Sequence, residues 1–477
     1  MVSAPFHFAI WLGIIALSLG FTNSCRQDES KKIYRENLSV ASGIPFGDSD
    51  PFSNHAGIGA NILELIYPVL FRLNAAGEPL LGLADDIEWS QTDPEIRLRL
   101  KTPDADAIIA TFEKVKKLSG IHFLEGLNGI RELRKVSDHE LVIVLDKWDR
   151  QLLYMLSVMP IMESKASKDR SRFALVEAND EQWILKRNAS LPDAVNTIHF
   201  LAIPSSRRAI RELTAGKLDF VLLANSGDIS VLSNIPDLET AELRASLFYM
   251  LLDNHRGSAK STEDWKQINR KVLSNLFARG AAEGLYNQPG YPFLDAVGTQ
   301  DSLQDKKPQA HSGPRKISFL GVQSRDRWLA RILKRSLEEE GWQVELQSLS
   351  PGDFQRKIFQ EYDFDLALMP ISIKDPIVSA YILFHTATGP QTINVSGYSN
   401  PEFDRAIEAA RFAKDPTVAK ENFSKAIAIL FERPPGMFLG WATTPLVYRK
   451  GCSGFKSNLV EFFESLKDVR CVVSAKN

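Results

Sequence analysis

Between Lys316 and Ile371 the sequence switches repeatedly between strand and helix periodicity, and this alternation constrains the fold more than any other feature. Lys316–Val322 is an apolar run of strand length. Trp328, Leu329, Ile332, Leu333 and Leu337 then fall on one face of a helix that ends at Gly341. Val344, Leu346 and Leu349 give a second strand, Pro351 to Tyr362 a second helix, and Phe364–Ile371 a buried third strand. A β-α-β-α-β order implies a parallel sheet with right-handed crossovers. In such sheets ligands lie beyond the carboxyl ends of strands, near a switch in strand order. That rule singles out the loop after the third strand, Ser372-Ile373-Lys374-Asp375-Pro376.

The rest of the chain carries weaker signals of the same kind. Leu38 to Ile44 is a first strand pattern. The run from Ile66 to Leu73 ends at Asn74-Ala75-Ala76-Gly77, where Asn and Gly accept a positive φ, and a second apolar run follows; this is a hairpin. Strand patterns recur at Ile96–Leu100, Leu141–Leu145, His199–Ile203 and Leu218–Leu223. Helices are expected near Ala107–Lys117 and from Ser206 to Ala215, the latter stopped by Gly216. A polar segment from about Gln300 to Arg315 interrupts the pattern. Asn400-Pro401 and Asp415-Pro416 each begin a helix, with the cap residue followed by Pro at the first position.

The bulk properties fit an exported globular protein. At 477 residues, with net charge -2 and 44% hydrophobic residues, the chain is long enough for two or three domains and gives no reason to expect nucleic acid. Phe8 to Phe21 is almost uniformly apolar, shorter than the roughly 20 residues that span a bilayer, and fits the core of a signal peptide. Small residues precede Cys25 as in a lipobox, so lipidation of Cys25 is expected, with a plain secretory signal or a short anchor as the alternatives. Residues 1–24 then form the signal peptide and 25–37 a tether. Of the three cysteines, Cys452 and Cys471 remain. In an exported protein they make a natural disulfide, closing a loop of roughly 20 residues at about 3 kcal/mol of stabilisation; two buried thiols are the alternative.

Enzymatic signatures are missing. No His-Glu-x-x-His, Gly-x-Ser-x-Gly or Gly-x-x-x-x-Gly-Lys-Ser/Thr occurs, so no catalysis is expected. Gly57-Ile58-Gly59 lacks a third Gly and is best taken as a loop. Asp85-Asp86 fit a solvated turn. The eight histidines are scattered; His255 and His385 meeting in a cleft to bind nickel or haem is a minor alternative to the expectation of no metal and no cofactor.

Motifs in common order give the chain a family likeness. Ile66–Leu73, Gly82-Leu83-Ala84-Asp85-Asp86 and Trp89-Ser90 resemble the early segment of the family-5 extracytoplasmic solute-binding proteins, the peptide and nickel receptors of ABC transporters. Asp50-Pro51, Lys147-Trp148 with Leu152-Leu153-Tyr154, and Leu213-Thr214-Ala215-Gly216-Lys217-Leu218-Asp219 are similar to its later units. Tyr249 to Asn254 and the set Asp375-Pro376, Phe384, Asn394 and Tyr398-Ser399-Asn400-Pro401 continue the likeness. The departures are Ser171-Arg172-Phe173-Ala174-Leu175 in place of Gly-Thr-Gly-Pro-Tyr, and Ser372 where peptide binders carry the Asp that holds the ligand's amine. Loss of that carboxylate puts the usual amine recognition in doubt.

The resemblance implies an α/β, two-lobed periplasmic-binding-protein fold of the type II class, with mixed sheets and a hinge crossed twice. Lobe I would take 38–247 with 445–477 returning to it, and lobe II 248–444. Tyr249–Asn254 and Trp441–Val447 would lie side by side at the hinge. It further implies a monomeric, lipid-anchored receptor in the periplasm or at the cell surface, passing a peptide-like solute to an ABC permease of the inner membrane. Candidate solute contacts are Ser53, Asn54, Tyr249, Asn254, Ser372, Phe384, Thr386 and Asn394, each with a structural role as its alternative. A second reading is a receptor-derived envelope lipoprotein, serving in signalling or envelope assembly, that no longer binds a transport ligand.

Overall fold

The computed structural model of the protein describes residues 34–472 apart from 44–45, 53–56, 74–78, 91, 118–126, 128, 163, 165–171, 193, 224–231, 233, 257–284, 287–313, 322–323, 374, 387–392 and 458. Cys25, the expected signal segment, Ser53, Asn54 and the turn at 74–78 therefore lie outside the described residues.

Strand β1 (Asn37–Ser42) leads to a short helix, α1 (Gly57–Leu63), so Gly57-Ile58-Gly59 forms a first helical turn rather than a loop. The hairpin expected before and after residues 74–78 is present as β2 (Phe71–Leu73) and β3 (Pro79–Leu81), with Phe71 opposite Leu81. Next come β4 (Ala84–Trp89), β5 (Glu95–Leu100), α2 (Ala105–Lys116), β6 (Ile130–Ser137), β7 (Glu140–Leu145) and α3 (Arg150–Val158). The four strands make an antiparallel sheet in the order β4-β5-β7-β6. Its period-2 pattern explains one covered face: Ile96, Leu98 and Leu100 are buried while Arg97 and Arg99 face solvent. Against that face lie Ile108, Phe112 and Val115 of α2 with Leu152, Met155 and Leu156 of α3. Asp85 and Asp86 stand exposed on β4 rather than in a turn.

The chain then enters a long mixed sheet through β8 (Phe173–Ala178), β9 (Gln182–Arg187) and β10 (Thr197–Ala202). Helix α4 (Ser206–Thr214), capped by the Ser205 hydroxyl, and β11 (Phe220–Leu222) follow; β1 runs parallel to both β10 and β11. Strand β12 (Leu238–Asp253) is the longest, and a short β13 (Leu285–Tyr286) comes after it.

The second half begins with the expected alternation: β14 (Arg315–Leu320), α5 (Ser324–Glu339), β15 (Val344–Leu349), α6 (Pro351–Phe354) and β16 (Leu366–Ser372). Strand β14 is parallel to both β15 and β16. The helix expected to reach Tyr362 instead widens after α6 into a π-helical turn, Gln355–Glu361. It ends at Tyr362 in the left-handed region, φ 54°, a conformation costly for a tyrosine. Arg256 lies over that ring at 4.0 Å and the Asn254 amide holds its carbonyl, which offsets the cost. Helices α7 (Pro376–Phe384), α8 (Pro401–Arg411) and α9 (Pro416–Glu432) begin at Asp375, Asn400 and Asp415, whose side chains accept from the first free backbone N–H groups.

Strand β17 (Gly436–Arg449) closes the large sheet, whose order is β15-β14-β16-β12-β17-β11-β1-β10-β9-β8. At its start an added Cβ on Gly436 (φ +149°) would lie 2.1 Å from the Leu251 carbonyl oxygen, so the close approach of β17 to β12 requires glycine there. Finally β18 (Cys452–Ser453), α10 (Leu459–Ser465) and β19 (Arg470–Cys471) return to β1; a disulfide joins Cys452 to Cys471 across the β18–β19 pair.

Separate cores form on either side of a crossing. One gathers Leu38, Val40, Trp183, Phe200 and Phe220 with Phe462 and Phe463 of α10. Others gather Phe384, Phe403, Ile427 and Phe438, and, beneath α5, Tyr249, Leu329, Leu333 and Leu439. Strands β12 and β17 carry the chain between them, paired antiparallel from Leu238–Arg449 to Leu252–Gly436. Tyr249–Asn254 and Trp441–Val447 thus lie on neighbouring strands but in another register: Tyr249 faces Gly440, Trp441 faces Phe248 and Val447 faces Thr240.

Candidate ligand cleft

The candidate site lies where β12 and β17 pass from one set of cores to the other. The pairing there is irregular, with register shifts between Arg244 and Phe248 and between Tyr249 and Met250. Ser372, the last residue of β16, sits opposite Leu247 at this crossing. The loop that follows it meets the start of α3 from the other half of the molecule.

Two consecutive residues make the meeting. Asp149 caps α3 by accepting from Gln151 N, and its carboxylate also accepts from Nε and Nη2 of Arg411, at 2.8 and 2.6 Å. Arg150 donates from Nε to Asp375 Oδ2 at 2.8 Å, while the other Asp375 oxygen accepts from the N–H groups of Ile377 and Val378. Side-chain exposure is 0% for Asp375, 2% for Arg411 and 13% for Arg150. Aromatic contacts flank the pairs: Lys147 Nζ lies 4.0 Å over Phe412, and Arg411 lies 4.1 Å over Tyr381. Burial pushes the Asp375 carboxyl above its ordinary range, against the opposing pull of Arg150 and the two backbone donors. The same burial, with Asp375 nearby, raises Tyr154 to about 12.

The same two strands hold a second polar group. At the first turn of α5, Asp326 Oδ1 accepts from the Tyr249 hydroxyl at 2.8 Å, and Arg325 Nη2 donates to the Thr443 carbonyl on β17. Burial lifts the Asp326 carboxyl to about 6, with the Tyr249 hydrogen bond and Arg325 opposing it.

The expected contact residues divide by what already engages them. Asn254 donates to the carbonyls of Tyr362 and Phe364 at 2.9 and 2.8 Å and accepts from Arg256 N, which ties down a loop. Asn394 donates to the carbonyls of His385 and Tyr398 and accepts from Ser396 Oγ and Tyr398 N. Phe384 is fully buried, packed edge-on against Tyr398, Phe403 and Phe438. Tyr249 is fully buried and bonded to Asp326. Thr386 is exposed, its N–H donating to Asp404 Oδ1. His385 pairs through Nε2 with Glu408 at 3.0 Å, and among the described residues no group of three His, Cys, Asp or Glu can hold a metal ion. Sequence reasoning marked Lys147-Trp148 and Asp375-Pro376 but missed the pairing of Asp149 with Arg411 and of Arg150 with Asp375. The available signal was the Asp149 and Asp375 caps, each beside a charged or helix-starting neighbour.

No protein-family model matches the sequence, and no curated protein sequence does. Solved structures do match over nearly the whole chain. NikZ from Campylobacter jejuni, in complex with Ni(L-His), superposes with TM-score 0.70 at 16% identity, covering 92% of this chain and 100% of its own. The oligopeptide-binding protein AppA from Bacillus subtilis, in complex with a nonapeptide, gives TM-score 0.68 at 15% identity over 93% and 100%. The fold is that of the family-5 solute-binding proteins. DppA from Helicobacter pylori, an ABC transporter-associated periplasmic binding protein in complex with the peptide STSA, shares this solute-binding fold with TM-score 0.68 at 17% identity over 92% and 98%. Among the described residues no helix is long and apolar enough to cross a membrane.

Proposed function

We propose that this chain is the extracytoplasmic solute-binding component of an ABC transporter, closing two lobes around a small, peptide-like solute. The observation that carries the reading is the pair of crossing strands, β12 and β17, joining separately cored halves at an irregular seam. A joint of this kind permits an open and a closed arrangement, and a solute favours closure to the extent that it binds the closed form better. Structures of the same fold hold Ni(L-His), a nonapeptide and the peptide STSA. In this reading lobe I is 38–247 with 445–477, lobe II is 248–444, and the chain is a non-enzymatic monomer held at the membrane through Cys25. Ser53, Asn54, Ser372 and Thr386 are the proposed solute contacts; Tyr249, Asn254, Phe384 and Asn394 position the walls. Thermal unfolding across a panel of short peptides and nickel–amino-acid complexes tests it. A true solute at about 100 times its Kd adds about 2.7 kcal/mol and raises Tm. No shift across the panel contradicts a receptor.

One feature favours the second reading, a receptor-derived envelope lipoprotein without a transport ligand. Arg150 already pairs with Asp375 in the loop after β16, and Ser372 supplies no carboxylate for an amine. Flat thermal profiles together with an intact, folded protein would select it.

A further inference from the structure

We infer that the crossed pairs Asp149–Arg411 and Arg150–Asp375 form a charge key, under which the two lobes close without any solute only while no charge is left unmatched. The key joins residues far apart in the chain, 262 positions for one pair and 225 for the other. Its charge order is fixed by chemistry on each side. Asp149 and Arg150 are consecutive, so the partner surface must present a cation and then an anion, and Arg411 and Asp375 do so. Neither aspartate is free to relocate, because each also caps its own helix: α3 through Gln151 N, and α7 through Ile377 N and Val378 N. The arginines are planar donors that match a carboxylate, and Arg411 binds with two nitrogens at once.

The consequence concerns closure and not folding. With the lobes apart, all four groups return to water and both caps persist. With the lobes together, Asp375 and Arg411 are almost wholly dehydrated. A buried pair of this type contributes little when compared with an uncharged substitute, yet removal of one partner strands the other charge. Single charge deletions therefore disfavour closure strongly, and a matched double deletion restores it. The key also limits which solute the cleft accepts: the Asp375 carboxylate is already satisfied by Arg150, so a solute ammonium gains no partner there.

Small-angle X-ray scattering on the solute-free, full chain tests the key independently of whether a transport solute exists. The wild-type curve should match the closed arrangement. Arg150→Gln and Asp375→Asn should each expand the particle, shifting the closed-to-open ratio on the order of a hundredfold. Asn remains a good cap, so Asp375→Asn alters charge and leaves α7 intact. The double variant should scatter as the wild type does. Circular dichroism confirms folding, and if Arg150→Gln does not fold, Asp149→Asn with Arg411→Met poses the same question. A solute-free wild type that is already open, singles that scatter as the wild type does, or a double variant as open as the singles each overturns the inference.

Discussion

Two buried aspartates in this molecule have the same chemistry and opposite consequences. Asp253, at the end of β12, is fully buried and pairs with Arg315 at the start of β14; both belong to one sheet. Asp375 is equally buried and pairs with Arg150, but the partner stands at the start of α3, 225 positions away, and in the proposed reading belongs to the other lobe. The first pair can be broken only by unfolding, because Arg315 also donates to the Asp365 carbonyl within the same half. In the proposed two-lobed reading, the second can be broken by separating the lobes. An ion pair therefore acts on stability or on conformation according to which bodies its partners belong to, and burial alone does not distinguish the two.

Substitutions separate the cases, and the largest effect belongs to the intralobe pair. Arg315→Gln should lower the unfolding free energy by about 3–5 kcal/mol, since it takes the Arg315 cation away from a fully buried Asp253. Arg150→Gln should lower it by no more than the roughly 2.7 kcal/mol that a hundredfold shift in closure represents, because opening rehydrates Asp375. Chemical denaturation of both variants measures the contrast, and equal losses would erase it.

Asp326 sharpens the comparison as a buried carboxylate bonded to a hydroxyl. Its folded value of about 6 stands above the ordinary 3.8, so the folded chain retains a proton that the unfolded chain has released between those values. Its contribution is complete below about 3.8 and lost as pH rises through 6, on the order of 3 kcal/mol in all. Asp326→Asn should flatten that part of the pH profile of Tm, leaving stability at pH 8 closer to that at pH 5. A profile identical to the wild type's would refute the assignment.

Reduction of the Cys452–Cys471 disulfide supplies a covalent reference. Its loss should cost about 3 kcal/mol, read by denaturation, while leaving the solute-free scattering curve unchanged. The smallest effect isolates capping from charge. Asn400 caps α8 through Glu402 N and Phe403 N with no cation involved, so Asn400→Ala should cost about 1 kcal/mol. If the cap at Asn400 proves worth as much as the Arg315–Asp253 pair, charge burial is not what separates the two aspartates.

What the sequence disclosed follows from the range of each interaction. The β14-α5-β15 alternation was legible because apolar spacing within a few turns dictates the buried face, and Asn400-Pro401 and Asp415-Pro416 were legible because a cap acts over three residues. The length of β12 was not, since Glu239, Glu242 and Arg244 interrupt its apolar pattern and its partner β17 lies far along the chain. The π-helical turn at 355–361 depends on how Tyr362 is held by Asn254 and Arg256, contacts invisible to periodicity. Ser372, singled out by the rule for parallel sheets, ends β16 opposite Leu247. Of the paired side chains beyond it, Asp375 was marked only as part of that loop and of the Asp375-Pro376 motif, while Asp149, Arg150 and Arg411 carried no signal of their own. Charge carries no period, and no local rule links positions more than two hundred residues apart.

Native mass spectrometry of the protein isolated intact from its own host tests solute binding most directly. The account predicts a discrete added mass of a small molecule, lost on denaturation and restored when the released compound is returned. A protein that carries only its own covalent mass, and takes up nothing from the host's solute pool, would contradict it.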